Sequence, residues 1–100
     1  TGYDFNRPFA DSAVFPLYDA VDREVASRYG HTVRAMEMSN SEYATRYNRF
    51  RKSTNMKPPP SHGRTFGGYL VVRKLGGPDQ YETWIPDMAF TEIYRAKDTD

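Results

Sequence analysis

The sequence predicts a small α+β domain: an antiparallel sheet of about three strands, one main helix packed on it, and a second, basic helix. Three observations carry that reading. Residues 67–74 (GGYLVVRK) and 81–85 (YETWI) are strand-like runs separated by the turn chemistry of Leu75-Gly76-Gly77-Pro78-Asp79, which predicts a hairpin. Ser39 and Glu42 have capping-box spacing ahead of an aromatic stripe, which predicts a helix start. The chain has 100 residues, enough for one domain with one modest core.

Residues 1–10 are polar and aromatic with Pro8 and read as an N-terminal arm, docked through Tyr3, Phe5 or Phe9. A helix is expected over 16–29. Pro16 suits a first helical turn, and Leu17, Val21 and Val25 recur every four residues. Gly30 is a natural stop, because glycine takes the left-handed conformation without penalty. Residues 31–38 (HTVRAMEM) read as a strand. The second helix spans 39–52, with Tyr43, Tyr47 and Phe50 on one stripe and Arg46, Arg49, Arg51 and Lys52 largely off it.

Residues 53–65 form a proline-rich loop, since Pro58-Pro59-Pro60 can neither continue a helix nor pair inside a sheet. Strands at 68–74 and 80–85 follow. Pro86-Asp87 opens a short helical segment with Met88, Phe90, Ile93 and Tyr94 as packing candidates, and 96–100 is a polar tail. The three strands leave open edges, which allow a homodimer. The 16–29 helix is placed on one sheet face, and the 39–52 helix over an edge or projecting outward.

The composition argues against several chemistries. With no cysteine there is no disulfide, thiol catalysis or thiolate-bound zinc, and the chain fits a reducing compartment. No apolar run approaches the roughly 20 residues that span a bilayer, so no membrane partner is expected. His31 and His62 stand 31 positions apart without neighbouring ligands, and no metal is expected. Ser61-His62 are adjacent, which does not set an imidazole against a hydroxyl. No phosphate-cradling glycine loop occurs. No catalytic residue and no cofactor is assigned, and the chain is read as a non-enzyme.

Charge is uneven beneath a net of +1. Residues 1–40 carry a net −2, residues 41–74 a net +7 and residues 75–100 a net −4. A basic block between acidic ones suits either an anionic partner or pairing within the fold. Arg46, Arg49, Arg51, Lys52, Lys57, Arg64, Arg73 and Lys74 are therefore candidates for nucleic-acid contact, with Tyr43, Tyr47 and Phe50 stacking on bases. The opposing reading buries the aromatic stripe as a core face and solvates the basic one. Trp84, Tyr69, Tyr94 and Tyr47 are candidates for contact with a protein partner. Trp84 lies either in the core under the first helix or on an open face.

The run Gly67-Gly68-Tyr69-Leu70-Val71-Val72, the turn, and Tyr81-Glu82-Thr83-Trp84-Ile85-Pro86 through Phe90 to Tyr94 resemble small phage and prophage proteins of the PGDYG type. The likeness extends over roughly residues 33–95. Here Phe66-Gly67-Gly68-Tyr69 stands where that family has its proline- and aspartate-containing lead. A fainter likeness is to phage proteins that sequester nucleotide signals of host immunity. The resemblance implies a phage or prophage accessory protein acting in a bacterial cytoplasm; with the lack of catalytic groups and the aromatic excess, it leads to the expectation of a protein that binds and modulates a host protein. The alternatives are a nucleic-acid-binding accessory protein using the basic 46–74 segment, and a binder of a nucleotide or other small ligand.

Overall fold

Leu17–Ala20 pairs as a strand, β1, where a helix is expected, and this rearranges the first third of the chain. The computed structural model describes residues 15–59 and 64–96. Among them α1 spans Arg23–Tyr29, β2 Thr32–Glu37, α2 Asn40–Phe50, β3 Gly68–Arg73, β4 Tyr81–Pro86, α3 Asp87–Ile93 and β5 Tyr94–Ala96. The strands form one five-stranded sheet in the order β4-β3-β2-β1-β5, each antiparallel to its neighbours. The α+β class and the antiparallel sheet hold; the strand number is larger than expected. The N-terminal arm, residues 60–63 of the loop with Ser61 and His62, and residues 97–100 of the tail lie outside the described residues.

The helix expected over 16–29 is a strand followed by a two-turn helix. Leu17 and Val25 share a helical period, but the backbone of 17–20 gains more from pairing. Tyr18 lies opposite Val33, and the Ala20 N–H donates to the His31 carbonyl at 2.8 Å. Val21, the middle of the supposed stripe, is exposed. The helix begins only where Asp22 caps it, its carboxylate accepting the Val25 N–H at 2.9 Å. Gly30 ends it as expected, at φ 101° with its N–H on the Ala26 carbonyl.

The capping box at Ser39 forms as expected. The Ser39 hydroxyl accepts the Glu42 N–H at 3.1 Å, and the Glu42 carboxylate accepts the Ser39 N–H at 2.9 Å. Alternation along the strands divides the core into two layers. Phe15, Met38, Leu70, Val72 and Trp84 meet Tyr43 of α2 in one layer. Val33, Ala35 and Val71 meet Phe90 of α3 and Tyr94 of β5 in the other. The first helix therefore gives only Val25 to a sheet face, and α3 is that face's main cover. The second helix covers the opposite face.

The proline-rich loop is not structureless where it is described. Met56 bridges Glu82 in parallel, the Glu82 N–H donates to the Asn55 carbonyl, and the Lys57 N–H donates to the Glu82 carbonyl. Residues 55–57 thus lie along the outer edge of β4. Pro58 and Pro59 have no N–H to extend that pairing. Prolines here blunt a sheet edge.

Candidate binding site

Asn40 fixes one wall of the site. It is buried at the first turn of α2, donates from its side-chain amide to the Arg64 carbonyl at 3.1 Å, and accepts the Phe66 N–H at 2.9 Å. Its own N–H donates to the Phe66 carbonyl at 3.1 Å. Ser41 and Thr65 share a hydroxyl–hydroxyl bond of 2.8 Å beside it. The chain leaving the proline loop is therefore clamped to α2, and Phe66 is delivered to the head of β3.

Trp84 forms the floor. Its indole N–H donates to the Met38 carbonyl at 2.8 Å, which satisfies the polar edge of a buried ring. Gly68 lies directly under that ring: a Cβ there would stand 2.4 Å from Trp84 Cζ2 and 2.4 Å from the Ile85 carbonyl. Only glycine admits the indole at this depth. The strand then ends at Pro86, and α3 turns away, with the Asp87 N–H on the Gly67 carbonyl at 3.2 Å.

Between these parts opens a hollow of about 360 Å³, lined by Phe66, Gly67, Trp84, Pro86, Asp87 and Met88. Its rim is apolar and exposed, with Phe66 42% and Met88 78% accessible. Among the described residues of that lining, Asp87 is the one ionisable group. Met88 gains little from burial in this chain, and Phe66 keeps 42% of its surface exposed beside the tryptophan.

The candidates for partner contact do not form one patch. Trp84 is the floor just described. Tyr47 is half-buried against the α2-side core, 6.4 Å from the Tyr43 ring. Tyr69 is on the opposite face, stacked on Phe90 at 4.0 Å. Tyr94 is buried on that same face, its hydroxyl accepting from Arg73 Nε at 3.2 Å. Burial raises the phenols of both Tyr69 and Tyr94 above the usual tyrosine range; the Arg73 charge partly opposes the rise at Tyr94.

The basic set also divides. Arg46 is not a surface cation: it is 4% exposed and forms a two-point ion pair with buried Glu82, at 2.7 Å and 3.1 Å. The Phe15 and Phe50 rings lie 5.5 Å and 5.2 Å from its guanidinium carbon. Arg73 is withdrawn as well, its guanidinium carbon over the Tyr29 ring at 3.7 Å from the centroid. The exposed members are Arg49, Arg51, Lys52, Lys57, Arg64 and Lys74. Arg51 stands over Tyr47 and Lys57 over Tyr81. Tyr43, offered for base stacking, is fully buried and donates its hydroxyl to the Lys57 carbonyl, with the Glu82 carbonyl at 3.3 Å. Burial first, then the nearby Glu82 charge, pushes that phenol far above its ordinary value.

His31 is exposed, beside Arg23 and Ser27. Among the described residues no cluster of three or more His, Cys, Asp or Glu could hold a metal ion, and no helix is long and apolar enough to cross a membrane. Sequence reasoning missed Phe66 and misassigned Met88 to the packing set. The sequence carries their type but not their exposure, which depends on where the Asn40 clamp and Pro86 leave the chain. No protein-family model, curated protein or solved structure matches the chain.

Proposed function

We propose that this chain is a small accessory protein with no catalytic activity of its own, which binds and modulates a protein partner through the Trp84 hollow. The partner we propose presents a bulky apolar side chain on an exposed segment. The observation that supports this is the pairing of an apolar, tryptophan-floored hollow with two exposed hydrophobes on its rim. Small-molecule sites carry several convergent polar groups; among the described residues this lining offers one carboxylate, at Asp87. A volume of about 360 Å³ suits one or two large side chains. Met88 supplies an adaptable, unbranched wall, and a buried aromatic is a common anchor of protein recognition. Asp87 favours a basic residue flanking the anchor. A bacterial host protein as the partner, and a host cytoplasm as the setting, rest on the phage-type resemblance.

The test compares capture by the wild type with capture by Phe66→Asp and Met88→Asp. Neither residue belongs to the buried core, and Met88, 78% exposed, is the cleaner of the two changes. The expected result is a partner retained through nuclease and high salt, lost with either rim substitution, and kept when Arg51 and Lys52 are reversed in charge. Nucleic acid recovered instead, lost at high salt and with the Arg51/Lys52 reversal, would replace this reading with nucleic-acid binding.

A further inference from the structure

At the other end of the β3–β4 hairpin from the hollow, Arg73 presents an unusual arrangement. It ends β3 and is only 9% exposed. Its guanidinium carbon stands over the Tyr29 ring, 3.7 Å from the centroid, and its Nε donates to the Tyr94 hydroxyl. Both partners are neutral. Arg46, buried on α2, differs in this respect: it has the Glu82 carboxylate, whereas no carboxylate among the described residues lies within ion-pair distance of Arg73. A charge taken this far out of water without a counterion is costly.

The remaining donors are free to act. Among the described residues the two Nη groups of Arg73 make no hydrogen bond. Among the described residues no fully buried side-chain nitrogen or oxygen lacks a partner, so these unbonded Nη atoms keep some contact with solvent. Tyr29 covers the guanidinium and Tyr94 takes its Nε, which leaves the two Nη groups as the donors available to a ligand. The guanidinium fork they form matches two oxygens of one oxyanion. Tyr81 is the cross-strand neighbour of Arg73, and the Lys57 ammonium stands 5.3 Å from the Tyr81 ring centroid. Lys57 thus sets a second positive charge beside the cross-strand neighbour of Arg73, and two cations favour a dianion over a carboxylate.

We propose that Arg73, backed by Tyr29 and Tyr94 and assisted by Lys57, is a binding site for a phosphate-class oxyanion, either free phosphate or a phosphate monoester. The site is independent of the hollow and of the function assigned to it.

The experiment titrates inorganic phosphate into the whole chain at constant ionic strength, balanced with chloride, and follows backbone amide shifts. The expected result is saturable shifts centred on Tyr29, Arg73 and Tyr81. Lys57→Ala, an exposed change that leaves the fold intact, weakens phosphate binding several-fold, and Arg73→Lys weakens it about tenfold or more by removing the fork. Phenyl phosphate run alongside separates the sources: tighter binding than inorganic phosphate marks a monoester, and equal binding marks free phosphate. Shifts that do not saturate, that chloride reproduces, or that keep the same affinity in Lys57→Ala would overturn the site.

Discussion

Arg46 and Arg73 have the same side chain and lie in the same basic stretch, yet they differ in what neutralises them. Arg46 meets Glu82 across the core, and the two are 4% and 3% exposed. Glu82→Gln leaves the Arg46 charge buried without its counterion, and urea unfolding is expected to show a loss of about 3–5 kcal/mol. Replacing both, with Arg46→Met and Glu82→Leu, is expected to recover most of it, since apolar groups then fill the same space. A small loss in the single variant would mean that the pair is solvated. The sequence shows the basic block and its acidic flanks, and internal pairing is one of the two readings it allows. It cannot say which arginine pairs, because Arg46 and Glu82 are 36 residues apart and meet only after β3 and β4 have formed.

Tyr43 gives a second residue-scale prediction. Its phenol titrates above the 10.0 of an ordinary tyrosine, so the folded chain holds that proton more tightly than the unfolded chain. Its contribution to stability is therefore whole below about pH 10 and drains away as the pH rises beyond it. Tyr43→Phe is expected to cost about 1–2 kcal/mol at neutral pH, through the carbonyls of Lys57 and Glu82 that lose their donor. It is also expected to flatten part of the alkaline decline. Unfolding midpoints at pH 7 and above pH 10 measure both; an equally steep decline in the variant would remove Tyr43 as its source.

At the scale of elements, legibility followed local signals. The β3–β4 hairpin, the Ser39 cap and the Gly30 stop are each written in a few adjacent residues, and each formed. The first helix failed because Leu17, Val21 and Val25 satisfy a helical period by coincidence, while the competing sheet partner, Val33, lies beyond the window of any periodicity. Strand β5 was unreadable for a similar reason: three residues at the end of a helix make a strand only because β1 offers Ala20 opposite Tyr94. Gly68 tests how tightly β3 and β4 are matched. Gly68→Ala places a methyl within 2.4 Å of the indole and the Ile85 carbonyl, so the ring or the strand must shift. A loss of about 1–3 kcal/mol with altered Trp84 emission is expected. Gly67→Ala, with nothing within 4 Å of its Cβ, is the control and leaves stability near the wild-type value. Equal effects of the two changes would contradict the stacking of Trp84 over Gly68.

For the molecule as a whole, both sheet faces are covered by helices and the β4 edge is partly covered by residues 55–57, so the surface features that remain stand out. Among the described residues these include the exposed apolar rim at one end of the hairpin and, at its far end, the buried Arg73 with exposed Lys57 beside Tyr81. The sequence announced Trp84 as a contact candidate, but it could not assemble the rim. Phe66 reaches it from a loop clamped by Asn40, and Met88 from the first turn of α3. Trp84 is the chain's single tryptophan and forms the floor of the hollow, so its fluorescence reports on the proposed contact directly. The decisive measurement is Trp84 emission during titration with the protein partner that the wild type captures. The account predicts a saturable spectral shift that is abolished by Met88→Asp. Saturable binding that leaves Trp84 emission unchanged and persists in Met88→Asp would contradict it.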